Sequence, residues 1–145
     1  MKGEISVLIQ KASWIAKDKA PSTVVPVFRR TFSCTRPLKS AALEVTCDGV
    51  YEAVLNGQRV GNFILAPGWT EYRNRLQVQA YDVKSLLQDS NTLEITVVNN
   101  WRNRLIADER LPEWERKTWT NNQPYHADDD LQSSGLLGTV LIRFK

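Results

Sequence analysis

Ser40-Ala41-Ala42-Leu43-Glu44-Val45-Thr46-Cys47-Asp48-Gly49-Val50-Tyr51-Glu52-Ala53-Val54-Leu55-Asn56-Gly57-Gln58-Arg59-Val60 decides the fold through its period of two. Ala41, Leu43, Val45 and Cys47 alternate with Ala42, Glu44 and Thr46, as a half-buried strand requires. Asp48-Gly49 marks a turn, and Tyr51, Ala53 and Leu55 line one face of the next strand with Glu52 on the other. Asn56-Gly57 then supplies the two positive φ angles of a type I′ hairpin turn.

The same period recurs outward from this stretch. Leu93, Ile95 and Val97 alternate with Thr92, Glu94 and Thr96, and Val140, Ile142 and Phe144 alternate with Thr139, Leu141 and Arg143. Leu76, Val78 and Ala80 alternate with Gln77 and Gln79, which predicts a strand with those three apolar residues facing inward. An earlier strand covers Val27–Cys34, where Arg30 shares a face with Phe28 and Phe32. That face is either partly open or supplies Arg30 with an acidic partner. Only Asp82–Leu87 reads as helical, one or two turns long with Asp82 as a plausible cap. Short strands, regular turns and one short helical turn predict an all-β fold, a sandwich or a barrel, spanning residues 1–145 as a single domain. Pro21–Pro26 reads as a loop between strands, and no repeat of solenoid period is present.

Residues 107–135 break the pattern. They hold Pro112, Pro124, Asn121-Asn122 and three consecutive Asp, with little periodicity, and read as a long polar loop that is functional or mobile. Trp114 and Trp119 predict that part of it packs down. Seven acids against three bases give this segment a balance of −4, so the remainder carries +7 within the overall +3. The basic residues of that remainder are scattered, and the charge reads as a solvated surface.

Several chemistries find no motif. His126 is the sole histidine, lies in the polar loop, and has no G-x-S-x-G nucleophile elbow to serve. Tyr125-His126-Ala127-Asp128-Asp129-Asp130 offers oxygen ligands and an imidazole but lacks EF-hand or zinc spacing; a solvated acidic turn is the expectation, and no metal or cofactor is assigned. Glycine-rich phosphate loops are absent. No strand carries the alternating aromatic and basic pattern of a single-strand nucleic-acid platform, so no nucleic-acid partner is expected. No apolar run approaches the roughly 20 residues that span a bilayer, so no membrane partner is expected either. Ile5–Ile9 is too short for a signal peptide, which predicts a cytoplasmic chain, or a secreted or periplasmic one if a leader was removed. Cys34 and Cys47 end successive predicted strands. In a simple hairpin they would lie at opposite ends, so free thiols are expected.

Leu65-Ala66-Pro67-Gly68-Trp69-Thr70-Glu71-Tyr72-Arg73-Asn74-Arg75-Leu76 crowds aromatics and arginines behind a turn. Flat apolar faces beside planar donors suit sugar recognition; equally, Trp69 and Tyr72 could plug the end of a sandwich. This stretch, taken in order with Ala12-Ser13-Trp14-Ile15, Phe28–Phe32, Gly49–Glu52, Leu55–Gly61, Tyr81-Asp82-Val83 and Asn100-Trp101, resembles the N-terminal β-sandwich domain of bacterial α-L-rhamnosidases over about residues 12–105. Asn99-Asn100-Trp101-Arg102 departs from the G-x-G-W-Y run common there, and Lys84 stands where Thr is usual. The resemblance implies a galactose-binding-like jelly roll. It also implies a parent glycoside hydrolase that removes terminal α-L-rhamnose with inversion, using carboxylates of an (α/α)6 barrel. This chain is then expected to be a non-catalytic accessory domain, with that barrel and rhamnose-containing glycans as partners and with no catalytic residues of its own. Trp69, Tyr72, Arg73, Arg75 and Trp101 are the expected ligand contacts. A free-standing carbohydrate-binding module of the same fold is the alternative.

Overall fold

Alternating side chains become two packed sheets in the computed structural model, which describes residues 14–15, 25–35, 37–68, 74–132, 135–137 and 140–144. Ten strands are described: β1 (Trp14–Ile15), β2 (Val27–Ser33), β3 (Ala41–Val45), β4 (Cys47–Asp48), β5 (Val50–Leu55), β6 (Gln58–Arg59), β7 (Gln79–Asp82), β8 (Ser90–Val98), β9 (Gly135–Leu137) and β10 (Leu141–Phe144). One sheet runs β2-β8-β5-β6 and the facing one β10-β3-β7, while β1-β9-β4 forms a short third ladder; every pair is antiparallel.

The inner faces follow the sequence period. Leu93, Ile95 and Val97 of β8, Tyr51, Ala53 and Leu55 of β5, and Ala41, Leu43 and Val45 of β3 form one buried cluster with Cys47, Val60, Val83 and Leu136. Because β3 belongs to one sheet and β5 and β8 to the other, this shared core makes the architecture a β-sandwich. At its margin the Phe32 and Phe144 rings, from the edge strands β2 and β10, meet with centroids 6.5 Å apart. The β2 face is the open kind: Phe28 and Phe32 are half-buried, and Arg30 is exposed opposite Leu93.

The hairpin turn forms as expected. Leu55 pairs with Gln58, leaving Asn56 (φ 53) and Gly57 (φ 77) as the two-residue loop. The Asn56 side chain does more than tolerate the turn. Its Nδ2 donates to Leu86 O and Asn91 Oδ1, both at 2.8 Å, and its Oδ1 accepts from Thr92 N at 2.8 Å. Gly49 (φ 120) is equally constrained, since a Cβ there would sit 2.2 Å from Val98 O.

Three expectations need correction. The strand expected at Leu76–Ala80 begins only at Gln79, and its inward positions are Gln79 and Tyr81, facing Val45 and Leu43. Polar residues take those places because Tyr51 can meet them: its hydroxyl lies 3.2 Å from that of Tyr81 and donates to Gln79 Oε1 at 3.3 Å. The helical content also exceeds one turn. The expected segment is a 3₁₀ turn at Lys84–Leu86, with Asp82 Oδ1 accepting the Lys84 amide; beyond it lie an α-helix, α1 (Arg102–Glu109), and a second 3₁₀ turn at Glu113–Glu115. Finally, Cys34 and Cys47 are free, but not as ends of a hairpin: β2 and β3 lie in different sheets. No helix among the described residues is long and apolar enough to cross a membrane.

Candidate functional site

Two features at the surface bring chemistry-bearing side chains together, and each grows from a local device in the chain. The first is the loop 61–68. Gly61 (φ 71) passes so close to the Tyr81 ring that a Cβ would lie 2.3 Å from its Cε1. Ala66 and Pro67 are buried, with Tyr51 N donating to Ala66 O at 2.7 Å and Gln79 Nε2 to Pro67 O at 2.9 Å. Burial pushes the Tyr51 hydroxyl far above the ordinary tyrosine range, so it stays a neutral partner in this network. Between these fixed ends, Phe63, Ile64 and Leu65 stand out into solvent, Ile64 at 74% exposure. Leu65 is held at φ 57, a left-handed conformation costly for a branched residue.

The second feature is α1 with the segment wrapped around it. Asn100 starts the helix: its Nδ2 donates to Asp48 Oδ1 at 2.9 Å, and its Oδ1 accepts the Arg102 amide at 3.2 Å. Burial raises the Asp48 carboxyl above its ordinary range, with the Asn100 bond opposing the shift. Trp101 occupies the cap and points outward, 63% exposed. Arg102 stacks over the Tyr125 ring at 5.0 Å and donates to Asp130 O. Asn103 exchanges bonds with Gln132, 2.7 and 2.8 Å, and Arg110 donates to Ala127 O and Asp129 O.

Asp108 is the centre of this region. It is 2% exposed; its Oδ2 accepts from Lys117 N (3.2 Å), Thr118 N (2.8 Å) and Thr118 Oγ1, and its Oδ1 lies 2.8 Å from Arg104 NH2. Burial would raise this carboxyl, but the Thr118 and Lys117 bonds and the Arg104 charge outweigh it and hold it below the usual carboxylate range. Glu109 adds a clasp, paired with Arg116 at 2.9 Å and accepting from Gln123 at 3.1 Å. Residues 107–132 are therefore organised by side-chain hydrogen bonds. Trp114 and Trp119 do not pack down as expected; they are 84% and 81% exposed.

Of the five expected ligand contacts, Trp69, Tyr72 and Arg73 lie outside the described residues. Arg75 is exposed in the segment before β7, and Trp101 caps α1. The aromatics the sequence did not single out as contacts, Trp114 and Trp119, are the most open ones described; their polar flanks were the available signal. His126 is exposed, with its backbone amide bonded to Asp129 Oδ2 at 3.0 Å, a local turn within the acidic triplet. Among the described residues, no group of three or more His, Cys, Asp or Glu gathers as a metal site would.

Two antiparallel sheets packed over one core, with loops and a helix at the margin, define an all-β sandwich domain. The chain belongs to the α-L-rhamnosidase N-terminal domain family, whose profile matches residues 36–131. It is 37% identical over 117 residues to an α-L-rhamnosidase of Alteromonas sp. (strain LOR), covering 73% of this chain but 13% of that protein. Among solved structures it is similar to a rhamnosidase from Novosphingobium sp. PP1Y (30% identity, TM-score 0.56, 80% of this chain and 10% of that one). It is also similar to an α-L-rhamnosidase from Aspergillus terreus (37% identity, TM-score 0.53, 62% and 11%). The chain thus spans about a tenth of the length of these relatives.

Proposed function

We propose that this chain is a non-catalytic accessory module of an α-L-rhamnosidase-like glycoside hydrolase, seated on the catalytic (α/α)6 barrel through the loop Phe63-Ile64-Leu65. The supporting observation is the pairing of family membership with that loop: a contiguous apolar tip raised on a buried Ala66-Pro67 base. An exposed apolar run of this kind is unfavourable in water and typical of a surface made for another folded part. Closing a partner over Ile64 would contribute on the order of 2 kcal/mol.

Two measurements test this. The purified chain alone is expected to release no aryl alcohol from an aryl α-L-rhamnoside, and reproducible turnover above a blank would overturn the non-catalytic role. Ile64→Asp is expected to leave the isolated chain's melting midpoint unchanged while lowering that of the chain joined to its catalytic part. Equal midpoints in the joined form would remove the loop from the interface.

A free-standing carbohydrate-binding module is the second reading, favoured by the exposure of Trp101 beside the Arg102–Tyr125 stack. In that reading Trp101→Ala abolishes sugar binding with the fold intact.

A further inference from the structure

Trp114 lies in the 3₁₀ turn at Glu113–Glu115, and Trp119 follows five residues later. Indoles are the largest apolar side chains a protein can bury, and leaving two of them in water forfeits the burial they could contribute. Nothing in the backbone forces this exposure through slackness. Asp108 holds Lys117 and Thr118, Glu109 holds Arg116, Arg116 Nε donates to Leu111 O at 3.1 Å, and Thr120 Oγ1 donates to Asn122 O at 3.0 Å. The loop is braced from both ends with its indoles turned outward. A braced loop loses little conformational freedom on binding, and an indole with two torsions loses little of its own.

Three kinds of surface stack on an exposed indole: nucleobases, the apolar core of another protein, and the C–H face of a pyranose. The balance of −4 across residues 107–135 opposes a phosphate backbone and an anionic polysaccharide alike. Protein interface cores are enriched in aromatics but depleted of Glu and Lys, so an interface would set such rings in an uncharged surround. Here the two indoles lie five residues apart in the chain, flanked in sequence by Glu113 and Glu115 or by Thr118 and Thr120, with Lys117 between them. That differs from the unbroken Phe63-Ile64-Leu65 tip. Exposed aromatic faces flanked by charged groups match a ligand that is itself apolar on its faces and polar around its rim.

We infer that Trp114 and Trp119 are stacking faces of a binding site for a neutral saccharide, whose hydroxyls are met by Glu113, Glu115 and Lys117 beside the two indoles. The inference rests on the accessory-module reading only for the choice of a rhamnose-bearing glycan as first probe.

Isothermal titration of the full chain tests it, with a neutral rhamnose-containing oligosaccharide, cellohexaose and a single-stranded dT oligonucleotide as probes. Saturable saccharide binding is expected, weakened at least about tenfold in Trp114→Ala and in Trp119→Ala and partly restored by Phe at either position. Melting midpoints should stay unchanged, because neither ring is packed. The site is overturned if the wild type binds neither saccharide, if affinity survives the double alanine variant, or if the oligonucleotide binds more tightly than the sugars. Equal binding of cellohexaose, lost in the alanine variants, upholds the site and tells against a rhamnose-directed role. Turnover of an aryl rhamnoside by this chain would strike the accessory reading and leave the site standing.

Discussion

Asp108→Asn is an isosteric change that tests whether one carboxylate organises residues 108–123. Oδ2 receives three donors from Lys117 and Thr118, and Oδ1 faces the Arg104 guanidinium at 2.8 Å. An amide has one oxygen, so whichever way it turns, its NH2 confronts a donor. If the oxygen stays with Thr118, the NH2 faces Arg104, whose side chain is 21% exposed and has limited recourse to water. Breaking a buried pair of this kind costs about 3–5 kcal/mol, and the partial exposure of Arg104 places the expectation near about 3 kcal/mol. Leu105 and Ile106 of α1 are buried yet stand outside the main core cluster, so the loss should open the loop locally before it unfolds the sandwich.

Amide hydrogen exchange at Lys117 and Thr118 should therefore quicken about a hundredfold, while the amides of β5 and β8 change little. The pH dependence has a definite sign. A carboxyl held below its ordinary value contributes stability that is complete above about pH 4–5 and lost as pH falls through the lower native pKa. Wild-type protection at Thr118, corrected for intrinsic rate, should be flat from neutrality to about pH 5 and decline below the ordinary carboxylate range. Asp108→Asn should lack that decline. Protection at Thr118 within twofold of wild type would refute the assignment of Asp108 as the organising group.

Two further changes test the core of the fold. Asn56→Ala removes both Nδ2 bonds and the acceptor for Thr92 N while leaving a side chain at φ 53, and should cost on the order of 2–4 kcal/mol in urea titration. Asn56→Gly relieves the φ alone and should recover about 1 kcal/mol of that; equal loss in both would discount the backbone contribution. Cys47, its thiol pushed up to about 12 by burial and then by Asp48, should resist an aromatic disulfide reagent at pH 8 until the chain is unfolded. Because its folded pKa is raised, the stability it contributes is whole below about pH 8.5 and fades as pH climbs from there toward about 12, a slope Cys47→Ala should lack.

The parts of the fold legible in the sequence are those set by side-chain alternation and turn chemistry. β3, β5 and β8 bury the residues their period selects, and the Asn56-Gly57 loop has the two positive φ angles its composition requires. β7 shows where alternation misleads: Leu76, Val78 and Ala80 are more apolar than Gln79 and Tyr81, but the register with β3 turns the polar pair inward, where Tyr51 receives it. α1 left no periodic trace because its buried positions are Leu105, Ile106 and Asp108, two neighbours and an acid. Asn100, two residues before Arg102, was the readable sign, since Asn is a favoured residue at helix starts. Arg104, four residues earlier, is the one partner of Asp108 with a readable helical spacing; the others are nine and ten residues away and are mainly backbone amides, which every residue but proline possesses.

That same chemistry explains why tryptophan is not the anchor of this loop. In a loop without an apolar core beneath it, a sequence offers aromatics as the natural source of order, and Trp114 and Trp119 sit where such anchors would be wanted. Here order comes from elsewhere: one buried carboxylate and one clasping glutamate hold the backbone, so the indoles are free of a structural task. A loop whose folding depends on its aromatics must hide them. One fixed by polar bonds can display them, and the display then has to be explained by something outside the loop. The apolar tip at Phe63–Leu65 obeys the same logic, since Ala66 and Pro67 hold its base in the core and its three large side chains contribute little to the sandwich they stand on. Two surfaces freed from folding duty, one unbroken and apolar, the other interrupted and polar-flanked, fit the two different partners proposed for them: a folded protein face for the first and a hydroxyl-bearing ring for the second.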